Sequence, residues 1–293
     1  MELFYQFTEE YGPGAIDRTV NTDTQSILSA IPPEHSTSEH LKRIFSLIDL
    51  TTLNSDDNDA TARRFTERLN GFWTAFPEIP QVAAICVYPS LVEEVKKTLT
   101  DTSVRIAAVG AGFPASQTFL AVKLAECELL VKKGADEIDV VISVGRFLAG
   151  EDKAVLNELI LIREACKGVK LKVILETGLL KTAQKIRTAS LLAMEAGADF
   201  IKTSTGKNAV SATPEAIYVM ANAIRDFYAR TGRAVGIKPA GGISGVEDAV
   251  IYYSLISKVL GNTWLNPGLF RIGASRLANN LLTRLNDQDI NYF

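Results

Sequence analysis

The chain has 293 residues, a net charge of −3 and 47% apolar content. That is long enough for one large domain with a sizeable core, and it excludes disordered, collagen-like and strongly basic nucleic-acid-binding compositions. No apolar run of about 18 residues offers a membrane span, and the opening MELFYQFTEEYGPG carries acidic residues where a secretory signal needs a basic end and an apolar stretch.

Residues 1–37 read as an N-terminal extension, a polar Ser/Thr-rich stretch closed by Pro32 and Pro33, with no functional part assigned to it. SEHLKRIF (38–45) reads as a short helix leading into the first strand. Short β-rich runs then recur: IFSLIDLT (44–51), VAAICVYP (82–89), RIAAVGAG (105–112), EIDVVISV (137–144), LKVILETG (171–178), FIKTSTG (200–206), VGIKPAGG (235–242) and FRIGASR (270–276). The last of these competes with a loop reading of WLNPGLFRIG. Between them lie helix-period stretches such as 118–134, 153–168 and 183–197, each ending on glycine, a common residue just past a helix C-terminus. Eight β/α units over about 230 residues predict a closed (β/α)8 TIM barrel across 38–285 better than an open doubly wound sheet. Residues 286–293 are left as a C-terminal tail.

Three lysines interrupt strands that should be apolar: Lys172, Lys202 and Lys238. A charged ammonium in a low-dielectric interior must find a partner or lose its proton, and a lysine with a lowered pKa is what Schiff-base chemistry uses. Strand alternation sorts the polar residues. Lys202 shares a face with Ser204, Asp139 with Val141, Lys172 with Ile174 and Glu176, Lys238 with Gly236, and Asp49 with Thr51. The opposite positions, Ile138, Val140, Val173, Leu175 and Ile237, are aliphatic, so the charges point into the barrel. A structural ion-pair plug is the plain alternative, yet so many charges inside one barrel are weak evidence for stability and mark functional sites. Lys202 and Lys238 fall on consecutive strands about 5 Å apart, and their repulsion depresses one pKa from its free value of about 10.4, leaving a neutral amine.

Glycine-rich turns follow the sixth strand (Gly206, with Lys207), the seventh (Gly241, Gly242) and the eighth (Gly273, with Ser275 and Arg276). Glycine alone makes tight turns, but three such loops beside two basic residues predict an anion site of the kind barrels build after strands seven and eight.

LIDLTTLN (47–54), AAICVYPS (83–90), GADEIDVV (134–141), LKVILETG (171–178), GADFIKTSTGK (197–207) and GIKPAGGI (236–243) together resemble the deoxyribose-phosphate aldolases, class I aldolases on a (β/α)8 barrel, over about residues 38–280. The resemblance implies reversible cleavage of 2-deoxy-D-ribose 5-phosphate into acetaldehyde and D-glyceraldehyde 3-phosphate with no metal and no organic cofactor. It implies that Lys202 forms the imine, that Lys238 keeps it neutral and joins a proton relay, and that Asp139 works in that relay with a bound water. Lys172 would hold Asp139, Asp49 and Thr51 would line the pocket toward the substrate hydroxyls, and Cys86 would be a pocket wall. Gly206, Lys207, Gly241, Gly242, Gly273 and Ser275 would hold the phosphate. Two features depart from the family pattern: Ser244 stands where some members carry arginine, and Arg276 where some carry a second serine, so the basic contact is expected to have moved to Arg276. Some members end in a tyrosine that reaches the site; here DINYF reads as a disordered tail, with Tyr292 as its tyrosine.

The two histidines, His35 and His40, precede the first strand and do not supply the ligands of a metal-dependent aldolase. The three cysteines, Cys86, Cys127 and Cys166, fit a reducing cytoplasm rather than a disulfide framework. The expected partners are small phosphosugar and aldehyde substrates, with no nucleic acid and no membrane, and a homodimer formed through outer helices. Another phosphosugar-processing barrel enzyme, or a non-catalytic phosphosugar-binding barrel, would share the anion site without needing Lys202 beside Lys238.

Overall fold

The computed structural model describes residues 15–293. Eight parallel strands, β1 (Ile48–Thr51), β2 (Ala84–Val87), β3 (Arg105–Gly110), β4 (Glu137–Val141), β5 (Lys170–Ile174), β6 (Phe200–Lys202), β7 (Gly236–Lys238) and β8 (Ile272–Ala274), pair in the order 7-6-5-4-3-2-1-8. Parallel bridges from Ile237 to Phe270 and from Ala240 to Gly273 join the two ends, so the sheet closes on itself as a (β/α)8 barrel. The eighth strand pairs with the first, Ile48 opposite Ile272, which decides against the loop reading. Strands are shorter than their apolar runs. The first begins at Ile48 because 38–45 is already helical, and β6 and β7 give way after three residues to the glycine turns.

Helices cover the outside: α1 (Ala15–Leu28), α2 (Ser38–Phe45), α3 (Asp59–Ala75), α4 (Val92–Thr98), α5 (Leu120–Lys133), α6 (Val144–Leu148), α7 (Asp152–Ala165), α8 (Thr177–Leu180), α9 (Ala183–Glu195), α10 (Pro214–Thr231), α11 (Val246–Leu260) and α12 (Arg276–Asn286). Their ends follow local chemistry. Asn58 and Thr61 form a reciprocal cap at the start of α3, where Asn58 Oδ1 accepts the Thr61 amide and Thr61 Oγ1 accepts the Asn58 amide. Thr213 caps α10, and Pro214 takes its first position, where a missing N–H costs nothing. Gly134, Gly168 and Gly197 end their helical stretches with φ of 96°, 89° and 95°, a left-handed conformation that favours glycine.

Alternation along the strands produces two shells. Ile138, Val140, Val173, Leu175, Ile201 and Ile237 face outward and are fully buried against the helices. Each contributes about 1.5–3 kcal/mol of burial free energy. The inner face is divided: Ala84, Cys86, Ala107 and Val109 make an apolar wall with Leu53, and the lysines and carboxylates occupy the opposite side.

The part of the extension within the described residues packs on the barrel. Helix α1 packs on α9, α10 and α11, with Val20 and Thr24 buried and Asp23 accepting the Tyr218 hydroxyl at 2.9 Å. Residues 1–14 of the extension lie outside the described residues. The tail is also packed, against expectation. Asn279 Oδ1 accepts the backbone amides of Tyr292 and Phe293 at 2.9 and 3.0 Å, and the Phe293 ring stacks on Phe72 at 5.8 Å. A side-chain amide satisfying two backbone groups fixes the segment, and the aromatic contact anchors it.

Phe200 closes the barrel beneath Lys202, on the same inward face, and its ring lies within 5.4 Å of the Lys170 ammonium. It fits because position 236 opposite is glycine: a Cβ there would stand 2.3 Å from the ring. Gly236→Ala is therefore expected to destabilise the fold by about 1–3 kcal/mol through overpacking, read as a lower urea midpoint. An unchanged midpoint would show that the ring has room to move.

Candidate active site

Register brings the charges together. Lys202 on β6 is level with Lys238 on β7, and Asp139 on β4 is level with Lys172 on β5. Asp139 is the hub. Its Oδ2 accepts from Lys202 Nζ and Lys238 Nζ, both at 2.8 Å, and its Oδ1 accepts from Lys172 Nζ at 3.0 Å. Asp49 on β1 lies within 2.5 Å of Lys238 Nζ and 3.2 Å of Lys172 Nζ through Oδ2.

Two members of this cluster were missed in the sequence. Glu137 Oε2 stands 2.5 Å from Lys172 Nζ, and Arg271 bonds Asp49 Oδ1 at 2.5 Å and Glu137 Oε1 at 2.8 Å. Both were legible by alternation, Glu137 two residues before Asp139 and Arg271 two before Gly273, which is level with Asp49.

Lys172, Lys238, Asp49 and Asp139 are fully buried, whereas Lys202 keeps 4% exposure. That sliver decides the geometry: of the three lysines, Lys202 alone lines the cavity of about 450 Å3 at the C-terminal end of the strands. Thr51 lines it as well. Asp49 does not; its carboxylate lies below the cavity among three cations, so it serves the ionic cluster rather than substrate hydroxyls. Cys86 is also withdrawn, fully buried behind Leu53, and burial pushes its thiol up. Alternation gives the face of a strand residue, not its depth.

The far side of the cavity holds the predicted anion residues. Gly206, Lys207, Gly241, Gly242, Gly273, Ser275 and Arg276 all line it, and so does Ser244. Gly206, Gly241 and Gly242 have φ of 76°, 84° and 76°, and a Cβ on Gly241 would lie 2.5 Å from Ser211 Oγ. The turns after β6 and β7 thus press together because Gly241 has no side chain. Arg276 opens α12, whose free N–H groups and dipole favour an anion. Lys207 Nζ donates to the Leu53 carbonyl at 2.5 Å across the mouth. Thr205 donates to Glu176 at 2.6 Å and accepts the Lys207 amide at 3.1 Å. Glu176, at φ 58°, has turned away from Lys172 toward that hydroxyl. Phe293 rather than Tyr292 reaches the cavity; the Tyr292 hydroxyl donates to the Arg68 carbonyl at 2.8 Å.

The electrostatics separate the lysines. Burial lowers the Lys202 pKa; Asp139 pulls it back up, and the charge of Lys238 adds to the lowering. Repulsion from Lys238 is thus real but secondary to burial. Burial also acts against charge on Lys172 and Lys238, but the carboxylates around them prevail and both are held above the ordinary lysine value. Asp139 and Asp49 likewise stay well below the usual carboxylate range, burial notwithstanding, because lysines surround them.

A closed parallel barrel in which one buried lysine, its pKa lowered, reaches a cavity at the C-terminal end of the strands is the arrangement of an amine-bearing (β/α)8 barrel. Residues 43–257 match the DeoC/LacD family aldolases. The chain is 43% identical to the deoxyribose-phosphate aldolase of Homo sapiens, over 82% of this chain and 79% of that one. It is also 43% identical to that of Agrobacterium fabrum, over 82% and 89% respectively. The chain belongs to the DeoC/LacD aldolase family. Its fold is shared with the tetrameric deoxyribose phosphate aldolase of Aeropyrum pernix, at a TM-score of 0.67 and 24% identity over 93% of this chain and 98% of that one.

The depressed carboxyls have a linkage consequence. A folded pKa below the unfolded value of about 3.8 contributes stability that is present above that value and lost as pH falls through the folded pKa. The urea midpoint is expected to hold between pH 7 and 5 and to fall steeply below about pH 4. In Asp139→Asn that hub no longer titrates, so the acid slope should be shallower; an unchanged slope would exclude Asp139 as its source.

Proposed function

We propose that this chain is a class I aldolase that reversibly cleaves 2-deoxy-D-ribose 5-phosphate to acetaldehyde and D-glyceraldehyde 3-phosphate through an imine on Lys202. The observation that carries the reading is the position of Lys202, the one lysine of the cluster with access to the cavity and the one whose pKa is lowered. Its amine lone pair adds to C1 of the open-chain sugar, and loss of water leaves a protonated imine. That cation is the electron sink. The C3 hydroxyl gives up its proton, the C2–C3 pair flows into the imine to form an enamine, and C3 leaves as the aldehyde of glyceraldehyde 3-phosphate. Protonation at C2 and hydrolysis release acetaldehyde and restore the amine.

Asp139, an anion in contact with both Lys202 and Lys238, would accept and return these protons through water, and the Lys238 ammonium would donate them. Lys172 and Asp49 hold that pair from below. The phosphate would sit across the cavity on the turns at Gly206, Gly241 and Gly242, with Lys207, Ser275 and Arg276 around it. Among the described residues no helix is long and apolar enough to cross a membrane. We place the protein in the cytoplasm. A homodimer through outer helices would cover Val122 and Leu161, exposed on α5 and α7.

Borohydride reduction in the presence of acetaldehyde, followed by peptide mapping, is expected to add the reduced two-carbon fragment to Lys202. Lys202→Arg keeps the charge but cannot form an imine, so cleavage should be almost abolished with circular dichroism unchanged. Normal turnover by that variant would overturn the assignment.

Arg276→Ala tests the anion site. Loss of a charge-assisted hydrogen bond of about 1.5–3 kcal/mol should raise KM for the phosphorylated sugar by roughly tenfold or more. kcat and the slow cleavage of unphosphorylated 2-deoxyribose should change little. Equal losses on both sugars would make Arg276 a support of the barrel instead.

A further inference from the structure

The ion pairs inside the barrel form one connected chain, and it can be counted. Lys202 meets Asp139; Asp139 meets Lys172 and Lys238; both lysines meet Asp49; Asp49 meets Arg271; and Arg271 meets Glu137, which returns to Lys172. Apart from Lys202 it contains three cations, Lys172, Lys238 and Arg271, and three carboxylates, Asp49, Glu137 and Asp139. The chain is neutral only while Lys202 carries no proton.

We propose that Arg271 and Glu137, which touch neither the amine nor the cavity above it, are positioning residues that set the protonation state of Lys202 by balancing this count. The inference rests on Lys202 being the imine-forming amine. All six partners are at most 3% exposed, so a surplus charge among them is screened far less than at the surface. Protonating Lys202 would leave one uncompensated positive charge in the barrel, the state that burial most disfavours.

The groups around Lys202 come from every side of the barrel. β1 supplies Asp49, β2 the neutral thiol of Cys86, β4 Glu137 and Asp139, β5 Lys172, β7 Lys238 and the approach to β8 Arg271. β3 presents Ala107 and Val109 to the interior, and the charges of Arg105 on β3 and Lys170 on β5 stand lower down at the floor cavity, exposed and half-buried, where solvent screens them. Glu176, at the end of β5, is held by Thr205 and stands outside the ion-pair chain, and Lys207, beyond β6, spends its ammonium on the Leu53 carbonyl. Arg271 and Glu137 lie at the opposite end from the catalytic mouth, where both line a separate cavity of about 960 Å3. Arg271 is also within 5.7 Å of the Phe200 ring that separates this floor from Lys202.

The signature is a pair of shifts of opposite sign. Arg271→Gln removes a positive charge, so a proton on Lys202 becomes easier to hold and its pKa rises. Glu137→Gln removes a negative charge and lowers it. The neutral amine is the active form, so the acid limb of kcat/KM follows Lys202. It should move up by about one pH unit in Arg271→Gln and down by about one in Glu137→Gln, the order of one charge acting from four and three ion-pair contacts away, at an effective dielectric of about 20. The charge-conserving Arg271→Lys and Glu137→Asp should leave it in place. Unphosphorylated 2-deoxyribose is the substrate of choice, because it keeps the phosphate's own titration out of the profile. A purely structural role would lower activity without opposed shifts, so limbs that stay put, or move the same way, overturn the proposal. Where one charge-removing variant does not fold, the other decides alone, and Asp49→Asn, which removes an anion of the same chain, gives a further reading with a downward shift. Borohydride trapping on the native chain is done first. No adduct on Lys202 would overturn the imine reading itself, whereas an adduct with unmoved limbs would overturn only the charge count.

Discussion

One carboxylate shared by three lysines is the interaction on which the site depends. Asp139 takes a contact from Lys202, Lys238 and Lys172, and each comes from a different strand. An isolated buried lysine costs several kcal/mol and is avoided by losing the proton. Here two of the three lysines are compensated well enough to remain charged, and the third is left as the group that gives way. The lowered pKa of Lys202 thus follows from an unequal division of one anion, with burial as the larger force and like-charge repulsion as the smaller.

Much of this was legible in the sequence because a parallel barrel imposes a period of two on every strand. Lys172, Lys202, Lys238, Asp139 and Asp49 sorted to one face, and the structure brings them within direct contact. The same rule would have found Glu137 and Arg271. Glu137 was passed over because it opens β4, where a charged residue reads as a solvated strand end, and Arg271 because the eighth strand is only three residues long and lacks a strong pattern. Depth along the barrel axis is not encoded in alternation. Asp49 and Cys86 were therefore placed in the pocket lining when they lie beneath and behind it.

The glycine turns were readable as turns because their chemistry is local, a backbone conformation that few side chains tolerate, and the structure sets them along the cavity. The last residues were not. Asn279, on α12, holds Tyr292 and Phe293 through long-range bonds with no signal in DINYF itself, and the residue that reaches the cavity is one position removed from the expected tyrosine. Tertiary contacts of this kind override the composition of a polar segment.

The seam of the barrel has a consequence for how the chain assembles. β7 and β8 meet through only two bridges, and the bond from Arg271 to Asp49 ties segments 222 residues apart in sequence. Bringing such distant segments together carries a large loop-closure entropy before any contact rewards it. Local β/α units rest on contacts close in sequence, whereas β1 and β8, with the charges of Asp49 and Arg271 beside them, meet only when the beginning and the end of the barrel do. The ionic cluster and the closure of the ring therefore rest on the same long-range contacts, so what joins the two ends of the chain also completes the surroundings of Lys202.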